Sequence, residues 1–110
     1  MKIECECGST IFDGTDDLPH KAHFIPDRRW NALFEAIDDL IEKRCATATQ
    51  RNAACTKIRS LVGAAARQAW QCSACGRLYV EDVKRDLQCY VPAGADTLRD
   101  LFRVESGNRT

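Results

Sequence analysis

A chain of 110 residues, 45% hydrophobic and 29% charged, has the size and composition of one globular domain with a modest core. Its formal net charge of zero argues against a dedicated nucleic-acid binder, and no apolar run approaches the ~20 residues of a membrane span. Met1-Lys2-Ile3-Glu4-Cys5 carries acid where a signal peptide would be apolar, so a cytoplasmic location is expected.

The elements follow in chain order. Met1 to Cys5 alternates apolar and polar residues and predicts a strand entering a turn at Cys5-Glu6-Cys7-Gly8. Ser9-Thr10-Ile11-Phe12 leaves as the second strand of a hairpin. Asp13-Gly14-Thr15-Asp16-Asp17 reads as a turn, since it lacks the spacing of a calcium loop. Ala22-His23-Phe24-Ile25 predicts a short strand ended by Pro26. Asp27 then caps a helix over about 27–44, with Trp30, Leu33, Phe34, Ile37, Leu40 and Ile41 at the spacing of one buried face. Glu35, Asp38, Asp39 and Glu42 occupy the opposite face. Ala46 to Gln50 reads as a loop, and a second helix is expected over about 50–67 with Ala54, Ile58, Leu61, Val62 and Ala65 inward.

The charges of this second helix are all basic: Arg51, Lys57, Arg59 and Arg67. More broadly, residues 1–42 hold four basic and ten acidic side chains, and residues 43–110 hold twelve and six. An acidic helix beside a basic one predicts an antiparallel hairpin. Ala69 to Cys72 and Gly76 to Val80 predict strands on either side of Cys72-Ser73-Ala74-Cys75-Gly76. Leu87 to Pro92 is a third strand, and Thr97 caps a short helix over about 97–104. Ser106 to Thr110 are expected to fray.

Two cysteine pairs, each followed by glycine, carry the chemistry. Cys5, Cys7, Cys72 and Cys75 form two knuckles, and four thiolates so arranged are what a tetrahedral metal ion requires, with structural Zn²⁺ the expected occupant. In a secreted chain, seven cysteines would instead suggest disulfides; in a reducing cytosol these spacings point to metal. A rival set is Cys5, Cys7, His20 and His23, though Pro19 and Pro26 bracket the histidines where a finger would have a helix. Ordinary polar roles are preferred for both histidines. Cys55 and Cys89 are expected to pack as small hydrophobes and Cys45 to be exposed. Four closed sulfur ligands leave no open coordination position. No catalytic thiol is marked by a base, and no phosphate loop or nucleophile elbow is present, so no enzymatic activity is expected.

Trp70-Gln71-Cys72-Ser73-Ala74-Cys75-Gly76-Arg77-Leu78-Tyr79-Val80 resembles the C-terminal half of a zinc ribbon. The resemblance covers about residues 1–12 and 69–92. It departs at the single residue between Cys5 and Cys7 and at the 64-residue insert between the knuckles. It implies an α+β fold: a zinc-ribbon-type small antiparallel sheet with an inserted helical hairpin. One domain, 1–110, is expected, with knuckle 1 at about 1–12, the helical insert at about 27–67, and knuckle 2 with its sheet at about 69–92. The chain is similar to small bacterial zinc-ribbon proteins. Its size and acidic helix resemble immunity proteins, which neutralise toxin domains. The expected function is a non-enzymatic interaction module that docks a basic protein partner through Glu35, Asp38, Asp39 and Glu42. The alternative is a nucleic-acid-binding or transcription-linked module that would use Arg77, Lys84 and Arg85 with Tyr79.

Overall fold

In the computed structural model, which describes residues 1–43 and 46–105, eight elements follow one another along the chain. They are β1 (Lys2–Glu4), β2 (Thr10–Phe12), β3 (Lys21–Phe24), α1 (Asp27–Glu42), α2 (Ala48–Ala65), β4 (Arg67–Gln71), β5 (Leu78–Glu81) and β6 (Leu87–Tyr90). The fold is α+β, as expected, with two helices and two antiparallel sheets. One sheet is the β1–β2 hairpin, and the other has the order β3-β4-β5-β6. The residues form two compact units. The first joins Met1–His23 to the chain from Gln68 onward and holds both sheets. The second, Phe24–Arg67, is the helical hairpin.

In the first unit, period-two alternation places one residue of each strand of the β1–β2 hairpin inward. Ile3 pairs with Ile11 across β1 and β2, and both are buried while their strand neighbours are not. Trp70 on β4 pairs with Tyr79 on β5. The core of this unit consists of Ile3, Cys5, Ile11, Trp70, Cys72 and Tyr79, with Cys75 packed against it. Three of those seven side chains are thiols, so the knuckles are the centre of the core. Trp70 is 1% exposed, and its indole N–H donates to Asp13 Oδ2 at 2.9 Å. Lys21 Nζ pairs with the same oxygen at 2.7 Å and lies 5.6 Å from the Trp70 ring centroid, a cation–π distance. Asp13 therefore does more than the turn chemistry expected of it.

In the second unit, α1 packs on α2 along a narrow seam. Leu33 is buried, and Ala36, Ile37 and Leu40 are half-buried. They are matched in burial by Ala54, Ile58, Leu61 and Ala65 of α2. The expectation of a fully buried apolar face on α1 is corrected here. Trp30, Phe34 and Ile41 are 47%, 46% and 67% exposed. A helix touching one neighbour covers only part of a wide apolar stripe, and α2 buries no residue fully.

Several boundaries also shift. Asp27 is not the cap of α1: Pro26 holds that position with no side-chain cap bond, and Asp27 lies in the first turn, where its charge favours the helix dipole. The loop expected at 46–50 is shorter, because Thr47 and Gln50 form a capping box that starts α2 at Ala48. The Thr47 hydroxyl accepts the Gln50 N–H at 3.1 Å, and Gln50 Oε1 accepts the Thr47 N–H at 3.1 Å. Cys55 and Cys89 are exposed, not packed: Cys55 lies off the α2 seam, and every residue of β6 is exposed at the sheet edge. Cys45 and Ser106–Thr110 lie outside the described residues.

The helix expected at about 97–104 is replaced by turns, because a buried side chain claims the backbone that a helix would pair with itself. Gln71 is 2% exposed. Its Nε2 donates to the Leu98 carbonyl at 2.8 Å and the Gly76 carbonyl at 3.2 Å, while its Oε1 accepts the Leu101 N–H at 2.8 Å. Gln71 thereby fastens the C-terminal segment over the second knuckle.

Candidate metal centre

Each knuckle caps a hairpin. In the first, between β1 and β2, the Cys5 N–H donates to the Ser9 carbonyl and the Gly8 N–H to the Cys5 carbonyl, both at 2.9 Å. In the second, between β4 and β5, the Cys72 N–H donates to the Arg77 carbonyl at 2.9 Å and the Gly76 N–H to the Cys72 carbonyl at 2.7 Å. The two turns are closed in the same manner but the second is one residue longer, and both closing glycines have positive φ, +99° at Gly8 and +84° at Gly76. A Cβ at Gly8 would meet open space; one at Gly76 would lie 3.1 Å from Pro92 Cγ and 3.3 Å from Arg99 Cγ. Gly8→Ala should therefore cost only the left-handed backbone penalty, about 1–2 kcal/mol. Gly76→Ala should cost more and loosen the C-terminal segment, which thermal denaturation and limited proteolysis of the two variants would read.

The structure brings Cys5, Cys7, Cys72 and Cys75 together, with all four sulfurs within 4.8 Å of one another. Cys5 Sγ is 3.5 Å from Cys75 Sγ, and Cys7 Sγ is 3.7 Å from Cys72 Sγ. A tetrahedron of sulfurs about 2.3 Å from a central ion has edges of about 3.8 Å. These cross-knuckle contacts match that edge and are far longer than a disulfide bond of about 2 Å. The donor set therefore fits a metal ion bound by four thiolates. Cys72 and Cys5 are buried, Cys75 is half-buried and Cys7 is exposed, so the first cysteine of each knuckle lies in the core and the second faces outward, Cys7 most.

The surrounding groups favour negative charge unequally. The Ser9 N–H and hydroxyl draw the Cys7 thiol down to about 6. Burial pushes Cys72 up to about 11. Burial also raises Cys75, but the Arg77 N–H and guanidinium outweigh it and the net direction is down. Four thiolates in so small a volume repel one another, and a divalent cation removes that repulsion and lets all four ionise. Arg77 Nη1 donates to Cys75 Sγ at 3.3 Å. The Tyr79 hydroxyl accepts the Glu6 N–H at 3.2 Å and is held above the usual phenol range by its hydrogen bond to Cys5 and by burial. Arg77, Tyr79 and Ser9 are the supporting shell of the centre. In the sequence, only their place in or beside a knuckle marks them for that role.

The rival set does not assemble. The His20 ring hydrogen-bonds to the Phe12 carbonyl at 2.7 Å, His23 is exposed, and among the described residues the one cluster with ligand geometry is the four cysteines. The basic group weighed for nucleic acid is largely committed elsewhere. Arg77 serves Cys75, and Arg85 pairs with Glu81 at 3.3 Å. Tyr79 is 7% exposed, which corrects its expected role as a stacking surface. Glu35, Asp38, Asp39 and Glu42 are all exposed on α1, and none is in an ion pair among the described residues. An open groove of about 550 Å³ in the first unit, lined by Asp16, Asp17, Lys21, His23, Phe102 and Arg103 among others, brings no nucleophile against a base. No helix among the described residues is long and apolar enough to cross a membrane.

Fold and site together define a small α+β protein built around a four-cysteine cluster suited to a metal ion. The chain belongs to the family described as Domain of unknown function (DUF8617), whose match covers residues 1–94. That span includes both knuckles and the helical hairpin. No curated protein and no solved structure matches the chain.

Proposed function

We propose that the chain is a non-enzymatic protein–protein interaction module, stapled by structural Zn²⁺ on Cys5, Cys7, Cys72 and Cys75, that docks a basic partner through α1. Zinc suits a tetrahedral all-thiolate set, which leaves no coordination position for substrate. The observation that carries the docking role is the exposed acidic stripe of Glu35, Asp38, Asp39 and Glu42, whose carboxylates have no ion-pair partner among the described residues. Such a stripe steers and registers a basic surface. A bacterial cytoplasmic immunity-type inhibitor, covering basic residues around a toxin's active site, is the particular form this reading takes. It rests on size and charge, and on the reducing compartment that metal-bound cysteines favour.

The test reverses Glu35, Asp39 and Glu42 to lysine and uses the wild-type and reversed proteins as paired baits. Folding and metal content should be unchanged, while affinity for the captured basic partner falls by at least about a hundredfold. Equal binding by the two baits would place the docking face elsewhere.

A further inference from the structure

The helical unit carries a second surface, which meets the acidic stripe at Asp38. With 3.6 residues per turn, Trp30, Phe34 and Ile41 fall within about 40° of one another on α1. All three are exposed, and Trp30 and Phe34 brace each other edge to face with centroids 4.9 Å apart. On α2, Cys55 and exposed Val62 fall within about 20° of each other, flanked by Arg51 and Arg59. The residues joining the helices are too few for anything but antiparallel packing. In both helices these apolar bands lie on the same rotational side of the seam. For antiparallel neighbours, that puts both bands on one face of the hairpin.

We infer that this face is the interface with a second copy of the chain, two hairpins closing into a four-helix bundle. Three observations select a second copy as the occupant. First, the hairpin fully buries only Leu33 in α1 and nothing in α2, so the two helices alone lack a core that four would share. Second, the face is self-complementary in charge. The α1 band is edged by Asp27 and Asp38, the α2 band by Arg51 and Arg59, and α2 contains no acidic residue. Both carboxylates lie on the outer side of the α1 band, so a two-fold axis that sets α1 on the partner's α2 opposes unlike charges along that outer edge. Third, the face is about 25 Å long and two helix diameters wide, of the order of the ~800 Å² per partner that a stable dimer buries. Glu35, Asp39 and Glu42 of the acidic stripe point away from this face, so a dimer would display them twice, while Asp38 borders both surfaces.

Sedimentation equilibrium of the metal-loaded protein tests the inference. The wild type should sediment at twice its chain mass of 12.3 kDa. Phe34→Glu with Ile41→Glu should give monomers with unchanged metal content, as should Arg51→Glu with Arg59→Glu. Adding Asp27→Lys and Asp38→Lys to the arginine variant should restore the dimer, which a folding defect would not allow. A monomeric wild type would overturn the inference, and so would a dimer indifferent to both variant pairs. If the monomer instead bound a basic amphipathic peptide through Trp30 and Phe34, the occupant would be a different protein. Partner docking is read separately by the Glu35, Asp39 and Glu42 reversal, so either idea can fail alone.

Discussion

Replacing Cys72 and Cys75 together by serine is expected to unfold or aggregate the protein and to abolish metal binding. Cys72 is 1% exposed and belongs to the same small core as Trp70 and Tyr79. A structural metal held by four thiolates contributes on the order of 10–16 kcal/mol of apparent binding free energy. That is comparable to the ~5–15 kcal/mol by which a whole domain is stable. Two ligands cannot hold the ion in a closed site, so the loss should be nearly complete. Cys55→Ser and Cys89→Ser, at exposed positions, should stay within about 0.5 kcal/mol of wild type. Replacing His20 and His23 together should leave metal stoichiometry intact. Circular dichroism with elemental analysis separates these cases, and a double cysteine variant with unchanged melting and metal content would contradict the site.

Trp70→Ala should cost about 3–5 kcal/mol, the range for emptying a buried indole site. Trp70 is the largest fully buried side chain, and its removal would open the wall behind Cys72. Trp70→Phe should cost less, about 1–3 kcal/mol, because it keeps the packing but deprives Asp13 of a donor. The comparison has a pH signature. Lys21, with help from the indole N–H, holds the Asp13 carboxyl below the usual carboxylate range. A lowered folded-state value gives stability that is fully present above the ordinary carboxylate value and is lost as pH falls through the lowered one. The gap between wild type and Trp70→Phe should therefore narrow on acidification. Chemical denaturation of metal-loaded protein at several pH values would show it, and a gap that widened with acid would overturn the role given to Asp13.

What the sequence revealed follows from how local each feature is. The knuckles were legible because the geometry is encoded within five residues: two thiols and a glycine free to take positive φ. The strands β1, β2, β4 and β5 were legible because each knuckle needs a strand on either side. Helix α1 was legible from its period, but the same period implied a buried face for Trp30, Phe34 and Ile41. Periodicity reports which residues share a face, and only the breadth of the neighbouring element decides how much of that face is covered. The C-terminal turns read as a helix in the sequence because the deciding residue, Gln71, lies 27 and 30 positions from its partners there, Leu98 and Leu101. Asp13 was read as turn chemistry for the same reason, since Trp70 is 57 positions away. The start of α2 was available locally in Thr47 and Gln50, but its polar, small residues suggested a loop.

The four-thiolate centre is tested most directly by elemental analysis of protein purified without added metal, alongside a thiol count under native conditions. One metal ion per chain, with four of the seven cysteines protected from a thiol reagent until a chelator is added, is the expected result. No bound metal with every thiol reactive would contradict the account, because the core would then be held by packing alone.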